Sequence, residues 1–337
     1  MKKSICVAGN MIVDILYPIC GYPKKGELTT IADGIGRTSG GAVCNVAIDI
    51  ARLLPDAKVS ALGAVGTDDE GSFVLDCLAS ANVDTAMVKR RGKTSFTAVM
   101  ADRETNERTF FQYRGANATF SEADIDWDKM DCDLFHIGYI LLLDALDEED
   151  AEYGTKMARL LAGAKAHGIK TSIDVVTESG ERFKKLVPPA LRYTDYCIIN
   201  ELETQETTGI SLRGADGKLL KENMKAALAK LHELGVGEWA VIHAPEGGFG
   251  MDKDGVYTEC GRLNYPDGWI KGTVGAGDAF CAGVLSGAEM GLSISEAVRL
   301  GNCAAVASLS APGATEGMKT AEACLEMGSE MGHLPIN

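Results

Sequence analysis

Basic residues are scarce in this chain. Lys and Arg number 33 against 48 Asp and Glu, a formal net charge of −15 over 337 residues. Nonspecific binding to DNA, RNA or an anionic membrane needs a basic surface, and this deficit argues against all three partners. It leaves room for an anionic small substrate, because a site can be locally positive or use a metal ion. Long apolar runs are also missing, and none approaches membrane-spanning length. The opening MKKSICVAGNMIVD imitates a leader peptide, but Asn10 and Asp14 interrupt its apolar run too early. The ten cysteines contain no CxxC and the five histidines no HExxH, so neither a zinc pattern nor a small disulfide scaffold is present. Several cysteines lie inside apolar segments and read as reduced, buried thiols of a cytoplasmic protein. In such a chain the sequon Asn117-Ala118-Thr119 carries little weight.

Apolar residues make up 46% and charged residues 24%, an ordinary globular balance that implies a substantial core. Short apolar runs at 5–8, 59–65, 134–137, 171–176, 196–199 and 239–243 read as strands. Helical spacing appears at 41–54, 71–81, 150–167, 219–234, 278–290, 295–309 and 320–331. The alternation predicts an α/β fold, a three-layer sandwich with a mostly parallel central sheet covered by helices on both faces. Such folds bind ligands at the carboxyl ends of their strands. Two segments break the alternation. Residues 16–39 hold Gly, Pro and Lys turns with β-branched pieces, and 93–114 carries TSFTAVMA and RTFFQYR around a turn at 102–107. They predict a small β-sheet lid on one domain spanning 1–337, with no linker dividing it.

The stretch IKGTVGAGDAFCAG, residues 270–283, concentrates the chemistry. A glycine-rich turn opening a helix suits a phosphate, yet Asp278 would repel one. A dinucleotide fingerprint fails because Phe280 stands at its third glycine position, where close packing needs no side chain. A P-loop fails for want of the following lysine. A plain structural turn with Asp278 as helix N-cap remains open. So does a phosphoryl-transfer site, in which the backbone N–H groups of Val274 to Gly277 line an anion hole and Asp278 faces the acceptor hydroxyl. An Asp with a reference pKa of about 4 is a weak base. That suffices when the transition state is loose and positioning outweighs basicity.

The chain resembles the ribokinase-like (PfkB) family of carbohydrate and nucleoside kinases over nearly its whole length, through five matches in order. They are Gly9 with Asp14, Gly40-Gly41 followed by Asn45, Asn200-x-x-Glu203, Thr273-Val274-Gly275-Ala276-Gly277-Asp278, and Asn302 followed by Gly313-Ala314. The resemblance implies Asp278 as catalytic base, with Gly275, Ala276 and Gly277 forming the anion hole. It implies an acceptor held by Asp14, Gly40, Gly41 and Asn45, with Asn10 as a neighbour. Asn200 and Glu203 would organise phosphate oxygens and magnesium, Glu203 through water. His243, Gly248, Thr273 and Asn302 would complete the nucleotide site. Each also has a plainer reading: a turn aspartate for Asp14, a solvated helix start at Glu201, a cap for Asn302, a buried structural histidine for His243. Arg108 and Arg114 on the lid hairpin read as solvent-facing.

The implied activity is transfer of the γ-phosphoryl group of ATP, with Mg2+, to a hydroxymethyl group of a sugar or sugar-like substrate. A nucleoside kinase and a catalytically silent sugar or nucleotide sensor are the alternatives. A nicotinamide dehydrogenase lacks its GxGxxG after strand one, where Gly9-Asn10-Met11-Ile12-Val13-Asp14 stands. A homodimer through the lid is a further expectation. Two places depart from the family pattern. His243-Ala244-Pro245-Glu246-Gly247-Gly248 replaces a Thr-x-Gly-x-x-Gly pattern, and Pro245 removes a backbone donor. Gly272 stands where relatives carry an Asp that helps bind a monovalent cation. Weak or absent potassium activation is therefore expected. Comparing kcat/KM in potassium and in a bulky organic cation checks this; a large potassium stimulation overturns it.

Overall fold

Period-two alternation along the strands divides the apolar residues between two cores. In the computed structural model, which describes residues 3–32, 34–105, 107–177 and 181–336, Ile5 and Val7 enter one core, and Cys6 and Ala8 the other. The chain begins with β1 (Ser4–Gly9), β2 (Ile12–Ile19), β3 (Gly36–Gly40), α1 (Gly41–Leu53), β4 (Lys58–Val65), α2 (Asp69–Ser80) and β5 (Lys89–Arg90). It continues through β6 (Phe96–Asp102), β7 (Arg108–Tyr113), β8 (Leu134–Ile140), β9 (Glu149–Asp150), β10 (Gly154–Thr155), α3 (Lys156–Ala166) and β11 (Lys170–Val175). Next come α4 (Arg182–Leu191), β12 (Tyr196–Asn200), α5 (Glu201–Thr208), α6 (Met224–Leu234), β13 (Trp239–Ala244), β14 (Gly247–Asp252) and β15 (Tyr257–Gly261). Three helices follow: α7 (Ala276–Met290), α8 (Ile294–Ser308) and α9 (Ala321–Met331).

The central sheet has the order β15-β14-β13-β12-β11-β8-β1-β4-β5. Its ladders are parallel from β5 to β13, and β14 and β15 extend it antiparallel. Helices α1, α2, α7, α8 and α9 bury their apolar stripes in one core, and α3, α4 and α6 in the other. This is the expected three-layer α/β sandwich. Among the described residues, no helix is long and apolar enough to cross a membrane.

The second sheet, β3-β2-β6-β7, is the expected small sheet, built by parallel pairing of β2 with β6. Its first strand begins at Ile12, earlier than expected, so only Asn10 and Met11 separate it from β1. Asp14 thus lies within this sheet rather than at the carboxyl end of a core strand. The Asn117 side chain pins the junction: its Nδ2 donates to Met11 O at 2.9 Å, and its Oδ1 accepts from Met11 N at 3.2 Å. The sequon asparagine is therefore buried structure.

Other differences have local causes. The helix expected at 150–167 begins only at Lys156, because Thr155 caps it and the preceding residues form the β9–β10 ladder. The helix expected at 219–234 begins as α6 at Met224, after a 3-10 turn at Lys221–Asn223. Helix α4 was not expected, since Pro188 and Pro189 lie inside it. Its buried face of Phe183, Leu186, Val187, Ala190 and Leu191 outweighs that penalty. The stretch after β13, which departs from the family pattern, forms the hairpin β13–β14.

Small residues set the contact between α7 and α8. A Cβ on Gly283 would lie 2.7 Å from Gly301 Cα, and one on Gly287 would lie 2.8 Å from Ala297 Cα. Backbone approach this close positions the start of α7 against the sheet. Gly283→Val is expected to cost about 1–3 kcal/mol through overpacking, read as a lower midpoint in urea unfolding.

Candidate active site

Helix α7 begins at a turn that only glycine tolerates. Gly275 has φ 79°, and a Cβ there would sit 2.7 Å from Ala314 Cβ and 2.9 Å from Ala314 O. Arg52 of α1 donates to Thr315 O, which fixes the loop carrying Ala314. Beyond Gly275 the first-turn amides lack intrahelical acceptors and carry the positive end of the helix dipole. Asp278 is the third residue of α7, not its N-cap, which is Gly275. The plain capping reading of Asp278 therefore fails.

Asp278 is 6% exposed. The Tyr139 hydroxyl donates to its Oδ1 at 2.6 Å, and Asn45 Nδ2 donates to its Oδ2 at 2.8 Å. Burial pushes the carboxyl above its ordinary pKa, and the two hydrogen bonds oppose that shift. A cavity of about 280 Å³ opens beside it, walled by Tyr139, Asp174, Thr177, Asn200, Glu203 and the α7 N-terminus. A second cavity of about 450 Å³ adjoins it, sharing Asn200, His243, Thr273, Ala276 and Gly277. Asn302, Tyr265, Arg262 and Phe280 line its far part.

Asn200 and Glu203 form a reciprocal cap at the start of α5: Glu203 N donates to Asn200 Oδ1, and Asn200 N to Glu203 Oε2. Thr177 Oγ1 donates to Glu203 Oε1 at 2.7 Å. Burial raises Glu203 to about 7, and it drives Asp174 well above the carboxylate range with the charge of Glu203 added. Two buried carboxyls, one raised by the charge of the other, in one cavity with a helix N-terminus are a donor set that suits a divalent cation.

The residues expected to hold the acceptor line neither cavity, but they lie against one another, and Asn45 reaches Asp278. A Cβ on Gly41 would lie 2.5 Å from Asn10 Oδ1, and one on Gly40 would lie 2.4 Å from Asp14 Oδ2. Burial lifts Asp14 to about 6, against a hydrogen bond from Thr97. The amide oxygens of Asn10 and Asn45 are buried without a hydrogen-bond partner among the described residues.

The remaining expected residues divide. Burial pushes His243 down to about 4, so its imidazole is neutral, and its ring packs on Phe280 at 5.1 Å between centroids. Asn302 lies inside α8, so it caps nothing; its Nδ2 donates to Cys260 O at 2.7 Å. Gly248 is not brought to the site. It is buried in β14, lines neither cavity, and is small because the Phe280 ring lies 2.8 Å from where its Cβ would be. Glu201 is buried and paired with Arg213, not a solvated helix start. Arg213 also holds Glu246, tying α5 to the turn after β13, which carries Pro245. Arg108 is exposed, but Arg114 is partly buried and reaches Leu141 O. Tyr139, Asp174 and Arg213 went unnoticed in the sequence. Only their positions at strand ends and in a polar loop marked them.

The model of the pfkB family carbohydrate kinases matches residues 2–321. The chain is 27% identical over 320 residues to a 2-dehydro-3-deoxygluconokinase of Bacillus subtilis, covering 89% of this chain and 88% of that one. It is 23% identical over 295 residues to a ribokinase of Staphylococcus aureus, covering 85% and 86%. The solved Arabidopsis thaliana ribokinase, complexed with ribose and ATP, superposes with a TM-score of 0.79 at 20% identity, covering 97% of this chain and 99% of that one. The chain belongs to the pfkB family of carbohydrate kinases.

Proposed function

We propose that this kinase moves the γ-phosphoryl group of ATP to a hydroxymethyl group of a sugar or sugar-like acceptor, with Asp278 as the base. The observation that carries the reading is one carboxylate, Asp278, in the wall of the smaller cavity, three residues into a helix whose N-terminus both cavities share. Asp278 takes the proton of the acceptor hydroxyl as its oxygen bonds to phosphorus and the bond to the ADP oxygen breaks. The products are the phosphorylated sugar and ADP, and the proton on Asp278 passes to solvent. The free amides of Ala276 and Gly277 receive the charge of the moving group, already oriented before reaction. Asp14, Gly40, Gly41, Asn10 and Asn45 hold the acceptor, and Asn200, Thr273, His243 and Asn302 hold the nucleotide. Glu203 and Asp174 would hold magnesium, which neutralises phosphate charge when bound. The lid excludes water, a competing acceptor.

Gly272 supports the absence of a side-chain ligand for a monovalent cation. A Cβ there would lie 2.4 Å from Pro312 O, so the loop is packed for glycine. The family and the sugar-kinase relatives favour a sugar over a nucleoside. The test is ATP turnover across a panel of sugars and nucleosides, with Asp278→Asn as control. Turnover with a sugar and a loss of about 10²–10⁴ in kcat for D278N are expected. Tight sugar binding with no turnover would establish a sensor instead.

We also propose a homodimer through the small sheet. Phe110 and Phe111, 63% and 51% exposed on opposite faces of β7, stand with Leu16 and Tyr113 on a sheet that is open to solvent. Glu104, Glu107 and Arg108 flank them with mixed charge, which suits a patch meeting its own copy about a two-fold axis. Sedimentation is expected to give twice the chain mass, and the chain mass for the double variant Phe110→Glu, Phe111→Glu. A native monomer at micromolar concentration overturns this.

A further inference from the structure

Asp278 is buried among other acids, and no cation offsets its charge in the hydrogen bonds it makes. Its charge helps raise Asp174 on β11, Asp49 on α1 and the thiols of Cys44 on α1 and Cys281 on its own helix, and Glu203 on α5 lines the same cavity. Asp49 is fully buried, with neither oxygen hydrogen-bonded among the described residues. His243 on β13 is neutral. A base must nevertheless be ionised when the acceptor arrives. What stabilises the Asp278 carboxylate is a pair of neutral donors, Asn45 on one oxygen and Tyr139 on the other.

We propose that Tyr139 is a positioning residue for the reaction: its phenol grips Asp278 Oδ1, keeping the base ionised and its carboxylate plane aimed at the acceptor. The inference rests on Asp278 being the base and deepens that reading. The 2.6 Å contact is short, as expected of a hydroxyl donating to a charged oxygen. Tyr139 stands at the carboxyl-terminal end of β8 and Asn45 in α1, so two elements clamp the two oxygens and rotation about the carboxyl bond is blocked. The phenol can only donate here. Burial and the surrounding carboxylates, Asp278 first, raise it well above the ordinary tyrosine range. Each carboxylate oxygen keeps a second lone pair, so the acceptor hydroxyl can still donate to Asp278 while Tyr139 stays in place.

The sign is fixed. A hydrogen bond to the ionised form favours it, so removing the phenol moves the acid limb of kcat/KM to higher pH. The test compares pH profiles of the native enzyme, Tyr139→Phe and Asp278→Asn. The phenyl ring remains in Y139F, so the wall of the cavity is kept and ATP affinity is expected unchanged. The acid limb of kcat/KM should move to higher pH by about one pH unit in Y139F, with most activity regained at high pH. A Y139F profile parallel to the native one, with D278N inactive, overturns the role of Tyr139 and leaves the base intact. An active D278N overturns the base itself.

Discussion

The contact between Gly275 and Ala314 is the constraint on which the site depends. It forces a left-handed backbone at Gly275, and that turn directs the first amides of α7 into the cavity. The same turn sets the rotation of α7 about its axis, and so where Asp278 points. Both halves of the proposed site, the amides offered to a phosphoryl group and the carboxylate offered to an acceptor, descend from one close approach. The small-residue seam of Gly283, Gly287 and Gly301 extends that precision along the helix, since α7 cannot slide or rock against α8 without a clash.

Charge organises the rest. The centre is crowded with carboxyls, and the protein controls them by three different means. Neutral donors hold Asp278. The cap at Asn200 and the Thr177 hydroxyl hold Glu203. Farther out, an arginine does the work: Arg213 bridges Glu201 and Glu246, so the wall of the larger cavity is tied together where the turn carrying Pro245 departs from the family pattern. The acid-rich centre would bind no anion alone. It suits a nucleotide that arrives with its own divalent cation.

The sequence exposed the fold through period-two strands and helical spacing, because burial on both faces of the sheet leaves that imprint. It exposed Gly275 to Asp278 through a glycine-rich turn opening a helix, and Asn45 through its place after Gly40-Gly41 in a pattern shared with the family. It concealed Tyr139, whose partner lies 139 residues away and is reached only across the sheet. Arg213 was equally hidden, because an arginine in a polar loop has no distinguishing neighbours in sequence. Gly248 shows why a glycine is hard to read. A glycine that yields to an aromatic ring and one that yields to a phosphate look the same in sequence. Helix α4 was missed because its two prolines speak against a helix more loudly than its apolar face speaks for one.

The short junction between β1 and β2 has a thermodynamic consequence. Asp14 sits on a strand of the small sheet, while Asn10 and Gly41 belong to the body. On the reading proposed above, an acceptor gripped by both would be a strut between them. Its binding energy and the work of moving the small sheet are then one quantity, divided between affinity and closure. The junction at Asn10–Met11 is held by Asn117 and by Gly138 O, so the work of moving the sheet includes any strain placed on those bonds. A small molecule that engages only one side would bind and leave the sheet where it was. Selectivity among acceptors is therefore in part a measurement of length.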